Sequence, residues 1–204
     1  MFTVFLVDDD AGVLKALSWL LRARGYDTQS FTSPQEFLAG HDATKPGCAV
    51  LDVSMPGLDG LELQQALAAG GCARPVIFLT GRGDIPTSVR AMRAGAIDFL
   101  TKPVTDDDLL AAIARAEKED AETRQADTEL QSIAARIALL TPREREVMTH
   151  VIAGKLNKQI AADLGSAEKT VKVHRSRVME KMGVRSVAAL VRLTAKAGIS
   201  ARDS

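Results

Sequence analysis

Two apolar periods alternate along the chain up to about residue 115. Thr3–Val7 is a short β-branched and aromatic run, read as a strand. Val13, Leu14, Leu17, Leu20 and Leu21 then recur at helical spacing, and Gly25 closes that helix. The pattern repeats: strands at Asp27–Phe31, Cys48–Leu51, Val76–Thr80 and Ile97–Leu100. Between them lie helices from a Ser33 cap to Ala39, from Leu58 to Ala69 and from Ile85 to Ala94, and another opens near Thr105. Five strands alternating with five helices predict an α/β sheet, parallel and covered on both faces. The near-continuous apolar strands agree, because such strands are buried on both sides.

Thr105 to Leu140 contains neither Gly nor Pro, and Arg115–Gln131 is rich in good helix formers. The fifth helix is therefore expected to run on as a linker, towards Leu140. Leu130, Ile133, Ile137 and Leu140 form an apolar stripe late in it. Thr141-Pro142-Arg143-Glu144 starts afresh, with Thr as N-cap, Pro at the first helical position and Glu at the third. Short helices follow: one closed by Gly154, Asn157–Leu164, one from a Ser166 cap to Met182, and Ser186–Ala197. Four short helices with tight glycine turns suit an all-α helix-turn-helix module. The expected division is 1–117, a helical linker 118–139, and 140–204.

Charge sharpens this division. The net charge is zero, but residues 141–204 carry 13 Lys+Arg against 6 Asp+Glu, and the rest carries 13 against 20. Opposite signs at the two ends point to two modules with different partners, the basic one a candidate for nucleic acid. No apolar run is long enough to span a membrane. Cys48 and Cys72 make neither a disulfide framework nor a metal spacing. Both fit free thiols in a reducing cytoplasm.

In a parallel α/β sheet, ligands bind beyond the carboxyl ends of the strands. Asp8, Asp9, Asp52, Thr80 and Lys102 all fall at such ends. Converging carboxylates repel, and a hard divalent cation relieves that repulsion; Mg²⁺ or Mn²⁺ with one or two carboxylates and waters suits oxygen donors. Lys102 offers a point charge for a phosphoryl oxygen, and Thr80 a hydroxyl. Such a site suits carboxylate attack on phosphorus, giving an aspartyl phosphate.

On the helix up to Met182, Val171, Val178 and Met182 share one face and should meet the core. Lys169, Lys172, Val173 and Ser176 lie on the other side, suited to base edges in a major groove. Lys155, Lys158, Thr170, Arg177 and Lys181 are placed for phosphates.

Val7-Asp8-Asp9-Asp10, Leu51 through Gly60, Leu79-Thr80-Gly81 and Phe99 through Pro103 resemble the flavodoxin-like receiver domain of two-component response regulators. Leu140 through Val147, Asn157 through Ala161 and Lys169 through His174 resemble the LuxR-type helix-turn-helix. In that order the whole chain resembles a FixJ/NarL-type response regulator, with Gly81-Arg82-Gly83-Asp84 favouring the FixJ branch. The resemblance implies that Asp52 accepts a phosphoryl group from a sensor histidine kinase. It implies that Asp8 and Asp9 hold the metal with Asp52, and that the Ser54 carbonyl completes its shell. Thr80 and Phe99 would form the switch pair, and Lys102-Pro103 a cis peptide. Phe99 stands where many relatives have Tyr, so packing must carry that switch. The last helix would serve dimerisation on double-stranded DNA, with RNA polymerase as a further partner.

The expected function is thus a cytoplasmic, phosphorylation-controlled transcription factor rather than an enzyme. A phosphatase of the haloacid-dehalogenase type would want a second acid two residues after Asp52, where Ser54 stands. A regulator that never accepts phosphate would not need Asp9, Asp52 and Lys102 together. A small-molecule sensor with the same C-terminal domain would need a ligand pocket in place of the acids.

Overall fold

The computed structural model describes residues 2–81 and 85–199. Arg82-Gly83-Asp84, read above as marking a branch, lie outside them. The chain forms two compact units, Met1–Arg124 and Gln125–Ser204.

In the first unit the elements alternate strictly: β1 Thr3–Val7, α1 Ala11–Ala23, β2 Asp27–Phe31, α2 Pro34–Gly40, β3 Gly47–Asp52, α3 Gly60–Ala69, β4 Val76–Thr80, α4 Ile85–Arg93, β5 Asp98–Thr101 and α5 from Asp106. The strands form one parallel sheet in the order β2-β1-β3-β4-β5. The order reverses direction between β1 and β3, so a crevice opens beyond their carboxyl ends. Because side chains alternate along each strand, the sheet feeds two cores. Phe5, Val7, Leu51 and Phe78 pack with Phe37, Leu63 and Leu67 on one face. Leu6, Val50, Ile77 and Leu79 pack with Leu17, Leu21, Leu109 and Ile113 on the other. Each fully buried Leu, Ile or Phe contributes about 1.5–3 kcal/mol.

α3 starts two residues later than its apolar pattern suggests. Asp59 accepts from the Glu62 amide (2.7 Å) while Glu62 accepts from the Asp59 amide (2.9 Å), a reciprocal cap that fixes the start at Gly60. A Cβ at Gly60 would lie 2.4 Å from the Asp52 carbonyl oxygen, so only glycine lets α3 approach the end of β3.

α5 continues without a break to Ala138 and so ends in the second unit. Of the apolar stripe, Ile133 and Leu140 are buried and Ile137 packs on the second unit's core, while Leu130 stays exposed. That unit holds α6 Pro142–Ile152, α7 Asn157–Asp163, α8 Glu168–Lys181 and α9 Val187–Lys196. Its core joins Val147, Met148 and Val151 to Ile160, Val171, Val178, Met182 and Leu190. Thr141 and Glu144 form the expected reciprocal cap, and Ser186 caps α9. Ser166 does not cap α8. The helix begins one residue further on, behind Ala167, and no side chain accepts from its first amides. The Ser166 amide instead bonds the Ala161 carbonyl (2.9 Å), which places Ser166 in the closing turn of α7. Gly165, at φ +59°, makes that turn possible.

Candidate functional sites

The register brings the acids together. Val7 stands opposite Leu51, so Asp8 and Asp52 leave neighbouring strands at the same level. Asp52 pairs with Leu79, and Leu79 with Leu100, which carries the next strand end to Lys102. The Lys102 ammonium lies between the two carboxylates, 2.5 Å from Asp8 Oδ2 and 2.7 Å from Asp52 Oδ1. Only 3% of Asp8 and 5% of Asp52 is exposed, so two anions at this depth need such a counter-charge. Burial works to lower the pKa of Lys102. Its hydrogen bonds to Asp52 and Asp8 and their charges outweigh burial and hold it above the ordinary lysine value. Its backbone amide bonds the Thr80 carbonyl (2.7 Å), and the Lys102-Pro103 peptide is cis.

The remaining carboxylate oxygens are held by local amides. Asp52 Oδ2 accepts from the Ser54 amide (2.7 Å), and Asp8 Oδ1 from the Asp10 amide (2.9 Å). Asp10, the third acid of the run, caps α1 by accepting from Gly12 (2.7 Å) and Val13 (3.3 Å). Its place before an apolar-periodic segment was a legible cap signal. Asp9 is exposed and lines the same open depression as Asp8, Asp10, Asp52, Ser54, Gly81 and Lys102. Among the described residues, no three His, Cys, Asp or Glu side chains stand as a ready metal cage. Asp8 and Asp52 are turned onto Lys102 instead.

Thr80 and Phe99 are brought to one side of the sheet. Phe78 pairs with Phe99 and Thr80 with Thr101, and paired residues share a face. Thr80 is fully buried. Phe99 is half-buried, its ring 6.1 Å from Phe78 and packed on the core beside it.

In the second unit, Val171, Val178 and Met182 are buried, as their spacing predicts. Lys169, Thr170, Lys172, Val173, Ser176 and Arg177 are all exposed on α8, and Lys158 on α7. α7 is tied to α8 by Arg175 donating to Asn157 Oδ1 (2.9 Å). Lys172 makes only a surface pair with Glu168 (3.2 Å), whereas Lys155 is held by Asp163 (2.8 Å). Lys181 is differently placed. Its ammonium binds Glu144 (2.6 Å) and the Leu139 carbonyl (3.0 Å), and Glu144 is only 2% exposed. The Lys181 hydrogen bond, then the Thr141 amide, holds the Glu144 carboxyl down to about 2. Sequence reading missed this pair, because its partners lie on different helices.

Comparison with known proteins agrees with both halves. Residues 4–114 match the family of response regulator receiver domains, and residues 138–194 match the luxR family of bacterial regulatory proteins. The chain belongs to the NarL/FixJ-type response regulators. It is 44% identical over 201 residues to Nodulation protein W of Bradyrhizobium diazoefficiens, covering 98% of this chain and 88% of that protein. It is 42% identical to the transcriptional regulatory protein FixJ of the same organism, covering 96% of each. Among solved structures it resembles the response regulator StyR (46% identity, TM-score 0.86, 96% and 98% covered). Full-length FixJ from B. japonicum matches at 42% identity with a TM-score of 0.58, covering 96% and 97%. This response regulator therefore couples a phosphorylation-responsive receiver to a LuxR-type DNA-binding domain, and its function is transcription regulation. Among the described residues no helix is long and apolar enough to cross a membrane.

Proposed function

We propose that Asp52 is the phosphoacceptor and that Asp8, Asp9 and Lys102 complete its site. The observation that carries this is the Lys102 ammonium held between two nearly buried carboxylates at the strand ends. The donor set fits a hard divalent cation, Mg²⁺ or Mn²⁺, held by Asp8, Asp9, Asp52 and the Ser54 carbonyl, since all four offer oxygen. When bound, the ion neutralises charge on the phosphoryl oxygens and on the acids around them. Asp52 Oδ1 or Oδ2 attacks the phosphorus of a sensor kinase's phosphohistidine, the P–N bond breaks and the kinase histidine leaves. Lys102 turns from Asp8 towards the new phosphoryl oxygens, and the Thr80 hydroxyl donates to one of them. Phe99 then packs inwards and reshapes the surface of α4 and β5, on which two receivers associate. Apart from slow loss of its own phosphoryl group, the chain has no catalytic role in this reading.

The functional modules are 1–117, the linker 118–139 and 140–204. Lys169, Lys172, Val173 and Ser176 read base edges of double-stranded DNA, with Lys158, Thr170 and Arg177 on phosphates. Lys155 and Lys181 reach phosphates only by leaving Asp163 and Glu144, so they rank below the others. α9 serves dimerisation on DNA, RNA polymerase is the downstream partner, and the setting is the cytoplasm. Asp52→Asn should abolish labelling by acetyl phosphate in the presence of Mg²⁺. Full stoichiometric labelling of that variant would overturn the assignment.

A further inference from the structure

Away from the acid site, the loop between α3 and β4 holds an unusual thiol. Cys72 is half-buried and lines a cavity of about 170 Å³ with Gln64, Arg74, Ala94 and Glu119. Arg74 is 93% buried, being 7% exposed. Its Nη2 donates to the Asp42 carbonyl (2.9 Å), but Nε and Nη1 are buried with no hydrogen-bond partner among the described residues. Gln64 is equally buried, and its Oε1 is unpartnered too. A buried guanidinium normally has its N–H groups matched by acceptors. Burial pulls the Arg74 pKa down, and Cys72 is the first of the groups that offset this, ahead of Asp120. The guanidinium carbon lies 4.0 Å over the Phe5 ring, and Cys72 lines the same cavity as Arg74.

We propose that Cys72 is a redox-modification site, a thiol that hydroperoxides oxidise to sulfenic acid, with Arg74 as the group that stabilises the reacting sulfur anion. The thiol gives its proton to solvent at the cavity rim. The sulfur pair attacks one peroxide oxygen, an S–O bond forms and the O–O bond breaks. Sulfur is oxidised by two electrons. The peroxide is reduced to water or an alcohol after taking up a proton. Cys48 supplies the internal contrast: it is fully buried, and burial pushes its thiol up to about 12. Arg74 also gives the modification a structural outlet. The segment it holds through Asp42 is also held by Arg124, at the Thr44 and Lys45 carbonyls, and by Asp120, at the Gly47 amide. Asp120 and Arg124 both belong to α5.

The test treats the full chain with limiting hydrogen peroxide, traps sulfenic acid with dimedone and resolves the two cysteines by peptide mass. In the native chain, label should appear on Cys72 and not on Cys48. Cys72 should react about tenfold faster in the native chain than in the same chain unfolded in urea. Arg74→Gln should bring the native rate down to the unfolded one, and Arg74→Lys should restore part of it. A native rate no higher than the unfolded rate overturns the proposal, as does an unchanged rate in a folded Arg74→Gln. Should that variant fail to fold, the native-against-unfolded comparison still decides.

Discussion

Lys172 shows how one residue can be separated from its fold. Its pair with Glu168 is exposed on both sides, and such pairs contribute at most about 0.5 kcal/mol. Replacing it with Ala should therefore leave the melting temperature nearly unchanged. On DNA the same change should weaken specific binding by about 1–3 kcal/mol if Lys172 reads a base. Titrating the operator and random DNA at one salt concentration checks this, since an equal loss on both would make Lys172 a phosphate contact. Lys102 is the opposite case. It lies 94 residues from Asp8 and 50 from Asp52 in sequence, yet it answers both charges. Its residue type and strand-end position were legible. Its seat between two acids was not, because the ion pair exists only once three parallel strands are in register. Gly60 was read as lying inside a helix from Leu58, and its real constraint is a neighbouring backbone 2.4 Å from a missing Cβ.

At the scale of elements, caps decided what periodicity could not. Apolar spacing, caps and glycine stops together located the helices among the described residues, but the start of α3 depended on Asp59 and Glu62. Ser166 looked like a cap and serves the turn before α8 instead. The pair joining α6 to α8 makes a pH prediction. Glu144 is held down to about 2 in the fold, well below its ordinary value near 4.5. A depressed carboxyl binds fewer protons folded than unfolded, so its contribution is fully present above pH 4.5. It is lost as the pH falls towards about 2. Glu144→Gln should lower the unfolding temperature of the second unit at neutral pH. The gap to the parent chain should shrink across that acid window, followed by circular dichroism at several pH values. A gap independent of pH would mean that packing, not charge, makes the contact.

For the whole molecule, the two halves carry opposite charge and opposite chemistry, an acid pocket in one and an exposed Lys/Ser helix face in the other. Loading the receiver with the phosphate mimic beryllofluoride and Mg²⁺ should convert monomer to dimer in sedimentation and tighten specific DNA binding. Asp52→Asn should do neither. The sequence by itself determined the alternating order of strands and helices, the basic C-terminal unit and the list of acids at strand ends, because each follows from local spacing and residue type. Only the tertiary structure decided which acids face the lysine. It alone turned Lys181 to a buried Glu144 instead of leaving it on the surface. Those outcomes depend on which distant groups share a dry space. There an unpaired charge costs far more than any local propensity contributes.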